Sequence, residues 1–123
     1  MPVFEITLSI KRDNVEVFGA PLRRRLEVDE AIGPMEYEQA TGGGYVVVPG
    51  TSALDEINVL ILRAVDYALT VRLDAQSDAG IVLNAGGVLV IFDADIDAGA
   101  SLNVKVDNSS GSTASAKVLA GGT

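Results

Sequence analysis

Apolar and polar residues alternate with a period of two along most of this chain, in short runs closed by turn residues. Phe4, Ile6, Leu8 and Ile10 alternate with Glu5, Thr7, Ser9 and Lys11. In an extended chain this places the two sets on opposite faces, one dry and one wet. Asp13-Asn14 signals a turn, and Val15 to Phe18 reads as a short returning strand. Leu22, Leu26 and Val28 then share one parity while Arg23, Arg25, Glu27 and Asp29 share the other. Gly33-Pro34 punctuates again, and Met35 to Ala40 reads as an edge strand or loop. Gly42 to Gly44 make a break, followed by a strand over Tyr45 to Val48 and a turn over Pro49 to Ser52.

Residues 51–78 contain no Gly and no Pro and fit two templates. As a helix capped by Ser52, they would carry an apolar stripe of Leu54, Ile57, Ile61, Ala64, Ala68 and Val71. As strands, they put Ile57, Val59 and Ile61 on one face, Leu60 and Leu62 on the other, and alternate strictly from Tyr67 to Asp74. The density of β-branched residues and that alternation favour two strands joined near Ala64 to Asp66. Further strands are expected over Ile81 to Leu83, Val88 to Phe92, Leu102 to Val106 and Thr113 to Leu119. Turns fall at Asp78 to Gly80, Asn84 to Gly87 and Ala98 to Ala100, a polar hairpin loop at Asn108 to Ser112, and a loose end at Gly121 to Thr123. Eight to ten short strands at this spacing describe an all-β fold, a single antiparallel, jelly-roll-like β-sandwich spanning 1–123. An extended amino-terminal arm fits within residues 1–44.

Composition narrows the chemistry. The 123 residues are 48% apolar, enough for one core and too few for two. The chain has no Cys, His or Trp. Thiolate zinc sites, cysteine nucleophiles, histidine bases and histidine-ligated metals are therefore excluded within it. Nine basic and seventeen acidic residues give a net charge of −8, which repels phosphate and disfavours nucleic acid and anionic membranes as partners. The amino end lacks the basic start and apolar stretch of a secretory signal. The apolar run Val88 to Phe92 is far short of the ~20 residues that span a bilayer.

Few residues could carry a site. Asp93, Asp95 and Asp97 would share one face of a continuing strand, ~6.5–7 Å apart, and so could offer oxygen ligands to calcium. Ala98 and Val104 stand where a calcium loop of the helix–loop–helix type needs Gly and Glu. The plainer reading is a solvated acidic loop, with no cofactor. Arg23, Arg24 and Arg25 form the one basic cluster. Arg24 falls among Leu22 and Leu26, where an arginine finds a carboxylate or lies at an interface, and all three arginines are expected to contact acidic partners at an interface. Gly42 to Gly44 lack the Lys-Ser/Thr of a phosphate loop. Glu36 and Glu38 share a parity around Tyr37 but offer no sugar platform. Strands 57–62 and 88–92 are apolar on both faces. This marks Ile57, Val59, Ile61, Val88, Val90 and Ile91 as core or subunit interface, and points to assembly without an enzymatic site.

The stretches Tyr67 to Gly80 (YALTVRLDAQSDAG), Leu83 to Phe92 (LNAGGVLVIF) and Ala120 to Thr123 (AGGT) resemble small β-sandwich virion proteins of tailed bacteriophages. Those are head-decoration or tail-associated subunits. The resemblance covers the carboxyl-terminal half and implies a non-enzymatic capsid decoration or cement subunit. It further implies a homo-oligomer, with a trimer favoured, that contacts a major capsid or tail protein. The location implied is the virion, assembled in the host cytoplasm. The competing expectation is a tail-associated receptor- or carbohydrate-binding sandwich using Tyr37, Tyr45 or a calcium-loaded Asp93 to Asp97 loop.

Overall fold

The chain pairs with itself as one long hairpin that has been folded over. The computed structural model describes residues 1–73, 80–97 and 104–123. Its strands are β1 (Val3–Leu8), β2 (Lys11–Arg12), β3 (Val15–Glu16), β4 (Leu22–Glu27), β5 (Glu30–Gln39), β6 (Tyr45–Val47), β7 (Glu56–Ala64), β8 (Leu69–Arg72), β9 (Ile81–Leu83), β10 (Val88–Asp97), β11 (Lys105–Asp107) and β12 (Ala114–Gly122). From β5 onward the antiparallel pairs are nested: β5 with β12, β6 with β11, β7 with β10, and β8 with β9. Two further pairings, β7 with β12 and β8 with β11, complete two four-stranded sheets, β10-β7-β12-β5 and β6-β11-β8-β9. The fold is all-β and sandwich-like. The strand reading of 51–78 holds for β7 and β8, and the helix alternative is overturned, with a single 3-10 turn at Thr51–Ala53 among the described residues of that span.

Alternation explains the core. Leu60, Leu62 and Ala64 of β7, Leu69 and Val71 of β8, Val104 and Val106, and Ala114, Ala116, Val118 and Ala120 of β12 form one buried cluster with Leu54 and Ile57. The central strand β12 contributes mostly alanine, so bulky leucines and valines from its neighbours can fill the space it leaves. A polar clasp joins the sheets at one end. The Gln39 side-chain amide of β5 donates to the Val106 carbonyl of β11 at 2.8 Å, and the buried Asn108 amide donates to the carbonyls of Gln39 and Ser112, both at 2.8 Å.

Four expectations are corrected. Gly33-Pro34 does not end a strand: β5 runs through it, with an irregularity where Met35 pairs with Val118 and Ile32 with Ala120. A side chain at Gly33 would meet the Val118 carbonyl oxygen at 2.5 Å, and its φ is +82°, so glycine is needed there. Gly121 and Gly122 are not a loose end but buried residues of the central strand β12. Ile57 does not share a face with Val59 and Ile61, because a register shift at Gly121/Gly122 turns it into the main core. Strand β10 does not keep a strict period of two through its acidic end: it shifts register between Phe92 and Ile96, and Asp93 takes a φ of +58°. The turns expected at Asp78-Ala79 and Ala98 to Ala100, and Leu102, lie outside the described residues.

Residues 1–28 belong to neither sheet. β1 and β4 pair as a hairpin, and β2 and β3 form its tip around Asp13-Asn14. Both turn residues have positive φ, +53° and +66°, as the tight two-residue turn of a twisted hairpin demands.

Candidate interaction surface

Register in the amino-terminal hairpin sorts its residues cleanly. Phe4 lies opposite Leu26, Ile6 opposite Arg24, and Leu8 opposite Leu22, so one face is apolar with a single arginine at its centre. Val3, Glu5, Thr7, Arg23, Arg25 and Glu27 occupy the other face. The apolar face lies toward the outer surface of the β10-β7-β12-β5 sheet. Phe4 and Val28 sit where a side chain on Gly121 would project, at 2.6 and 3.1 Å from that point. Val59, which pairs with Gly121 and with Phe92, is fully buried although it is outside the main cluster. The hairpin base therefore acts as a small second core, and glycine at 121 is what lets the Phe4 ring come down onto the sheet.

Farther along, the hairpin and sheet diverge into an open groove lined by Ile6, Leu8, Leu22, Arg24, Val90, Phe92 and Asp93. The Arg24 guanidinium bridges it, its Nε donating to Asp93 Oδ2 at 2.7 Å and Nη2 donating to the same oxygen. The arginine expected to find a carboxylate has done so within its own chain. Arg25 lies on the wet face, 3.6 Å from Glu5 and 3.9 Å from Glu27. Because both partners of the Arg24–Asp93 bridge are partly exposed, Arg24→Ala should lower global stability by less than about 1 kcal/mol. It should nonetheless speed amide exchange across 3–8 and 22–27 while leaving β7 and β12 protected. Unchanged exchange in those two segments would show that the bridge does not hold the hairpin down.

The groove continues on the sheet itself. Val88 pairs with Arg63 and Val90 with Ile61, all on the outer face, and a second shallow trough is lined by Pro34, Ile61, Arg63, Val88, Lys117 and Leu119. Val88 and Val90 are exposed, and Ile61 is half-buried. The sequence-derived interface set thus divides by face. Ile57 belongs to the core and Ile91 packs against it, Val59 lies under the hairpin, and Ile61, Val88 and Val90 line open surface.

The chain matches no protein-family model, and no curated protein or solved structure proves similar to it.

Two of the three acidic residues considered for calcium, Asp93 and Asp95, have partners within the chain. Asp93 is bound to Arg24, and Asp95 Oδ1 accepts from the Asn58 side-chain amide at 3.0 Å. The side chain of Asp97 lies outside the described residues. Among the described residues no group of three acidic side chains is placed to hold a metal ion. The tyrosines considered for carbohydrate are not displayed as platforms. The Tyr45 ring is covered by the Arg72 guanidinium, 4.0 Å from its centroid. Tyr37 packs against the core, and its hydroxyl is buried with no hydrogen-bond partner among the described residues.

Burial pushes the Tyr37 phenol from 10.0 up to about 12. The folded protein then keeps this proton after the unfolded chain has released it. The contribution of Tyr37 to stability is fully present below pH 10 and is lost as pH rises toward 12. Tyr37→Phe should leave neutral-pH stability within about 0.5 kcal/mol, since it removes an unpartnered hydroxyl, and should flatten the alkaline loss. Urea unfolding at pH 7 and at alkaline pH measures both, and an equally steep alkaline loss in the variant would reject this assignment.

Sequence reasoning missed the apolar residues at the hairpin tip as a surface. Val15, Val17 and Phe18 read as a strand, and a strand is expected to bury one face. The available signal was their position against Asp13-Asn14 and Gly19, which confines them to a turn too narrow to bury them.

Proposed function

We propose that this chain is a non-enzymatic structural subunit of a phage particle, a capsid decoration or cement protein that works by assembling with copies of itself and with the shell. The observation that carries this reading is the apolar surface left open on the outer sheet face and on the projecting hairpin. Val88, Val90, Leu8, Leu22, Val15, Val17 and Phe18 are all exposed. Exposed apolar surface that extends this far marks a place where another protein binds. The nested strand order supports the jelly-roll reading, an eight-stranded double sheet that recurs in viral capsid and lectin domains. The resemblance of 67–80, 83–92 and 120–123 to phage virion proteins points the same way. Fold alone does not assign function, so the weight rests on the surface.

The mechanism is mechanical. A subunit that binds weakly through several apolar contacts gains strength when those contacts act together on a lattice. The acidic remainder of the surface keeps free subunits from clumping before assembly. The test is co-sedimentation of the purified chain with phage particles that lack it, followed by imaging of the complex. Saturable binding at regular lattice positions is expected. A chain that leaves such particles untouched overturns the proposal.

A further inference from the structure

The hairpin and the sheet face each leave apolar surface open, and the parts of the chain that carry these patches differ in charge. Residues 1–28 carry five basic and four acidic side chains, a net +1, whereas residues 29–123 carry four basic and thirteen acidic, a net −9. Two bodies of this kind repel each other, and the hairpin, with its net positive charge, escapes that repulsion. The hairpin tip is apolar and uncovered: Val15 is 67%, Val17 50% and Phe18 72% exposed. Its base lies on its own sheet, but none of residues 9–21 lines the groove with Val90 and Phe92. On the body, Val88 (50% exposed) and Val90 (41% exposed) continue into the trough lined by Ile61, Leu119 and Pro34, with Arg63 and Lys117 at its rim. The tip carries Asp13 and Glu16, opposite in sign to those two cations, and Lys11 and Arg12, opposite in sign to the acidic body.

We infer that the hairpin tip of one copy docks on the Val88/Val90/Ile61 face of a second copy, Phe18 and Val17 entering the trough and Asp13 and Glu16 meeting Arg63 and Lys117. The contact deepens the assembly reading and rests on it. Giver and receiver are different surfaces, so each copy donates one arm and accepts one. Such a head-to-tail contact closes into a ring when the rotation between copies permits. Edge-to-edge pairing through β5 is the less favoured route, because that edge strand carries Glu30, Glu36 and Glu38.

Sedimentation velocity on the full chain tests this with two single variants, Phe18→Asp at the tip and Val90→Asp on the face, plus Val88→Asp should Val90→Asp fail to fold. Circular dichroism and thermal melting check that each variant keeps the wild-type fold. The wild-type chain should form a closed oligomer at high micromolar concentration, and each variant alone should be monomeric. Mixing Phe18→Asp with Val90→Asp leaves one good arm and one good face, so the mixture should form one-to-one pairs and nothing larger. A contact of either patch with its own twin predicts no such rescue. A monomeric wild-type chain, a variant that still oligomerises, or a mixture that stays monomeric each overturns the arm-to-face contact. The particle-binding reading is judged separately by co-sedimentation, so a chain that decorates particles yet never self-associates would sink this contact alone.

Discussion

Replacing Gly122 with alanine should cost about 3–5 kcal/mol, more than the same change at any exposed loop glycine. A methyl group there would sit 1.8 Å from the Glu56 carbonyl oxygen and 2.9 Å from its carbon. Both are backbone atoms, so no side chain can swing aside. The strands must part locally, and several bonds go with them. The Thr123 amide donates to Glu56, the Asp55 amide donates to Thr123, and the Asp29 amide donates to Gly122, at 3.0, 2.7 and 3.0 Å. Each such bond is worth roughly 1 kcal/mol net. Gly111→Ala is the matched control. Gly111 has a φ of +89° but open space around it, so alanine pays only backbone strain of about 1–2 kcal/mol. Melting of the two variants decides the matter. A Gly122→Ala protein as stable as Gly111→Ala would mean that the carboxyl-terminal strand is not seated between β5 and β7.

Asn108→Ala should be the second costly change, at about 2–4 kcal/mol, or roughly 10 °C in Tm. The Asn108 side chain is buried. Besides donating to Gln39 and Ser112, its Oδ1 accepts from the Ser110 amide at 3.1 Å and the Ser110 hydroxyl at 2.7 Å. Truncation leaves the Gln39 carbonyl without that donor at the point where the sheets are clasped. Asn108→Asp should be worse still, because it turns the donating amide into an oxygen facing two carbonyls and adds a buried charge. Urea midpoints for both variants test the ranking. An alanine variant within 0.5 kcal/mol of wild type, on the scale where a net hydrogen bond is worth about 1 kcal/mol, would show that the clasp is dispensable.

Most of the strand pattern was legible because alternation is a local property. Phe4 to Leu8 and Leu22 to Leu26 are strands where the period of two put them, and the short apolar runs expected as strands over Tyr45 to Val48 and Ile81 to Leu83 form β6 and β9. The failures share one cause. Gly33-Pro34, Ile57, Asp93 and Gly121-Gly122 all sit at register shifts, or beside a partner strand that comes unusually close. A bulge moves later residues to the other face, and only the distant partner strand reveals where it falls. The interaction surface was half legible. Val88 and Val90 stood out because their strand is apolar on both sides, and Arg24 stood out because it interrupts an apolar face. That its carboxylate is Asp93, sixty-nine residues away, depends on where the hairpin lies on the body. No local pattern encodes that placement.

The seating of β12 between β7 and β5 has a consequence for biosynthesis. A ribosome makes this strand after all the others in the sequence, yet the larger sheet cannot close until it arrives. The hairpin of residues 3–27 needs only its own neighbours and can form early. The greasy segments around 57–62 and 88–92 must wait without their central companion, as expected for pairings between distant parts of a chain. Nascent chains should therefore carry a finished arm on an unfinished body, exposed to aggregation until the last strand slots in.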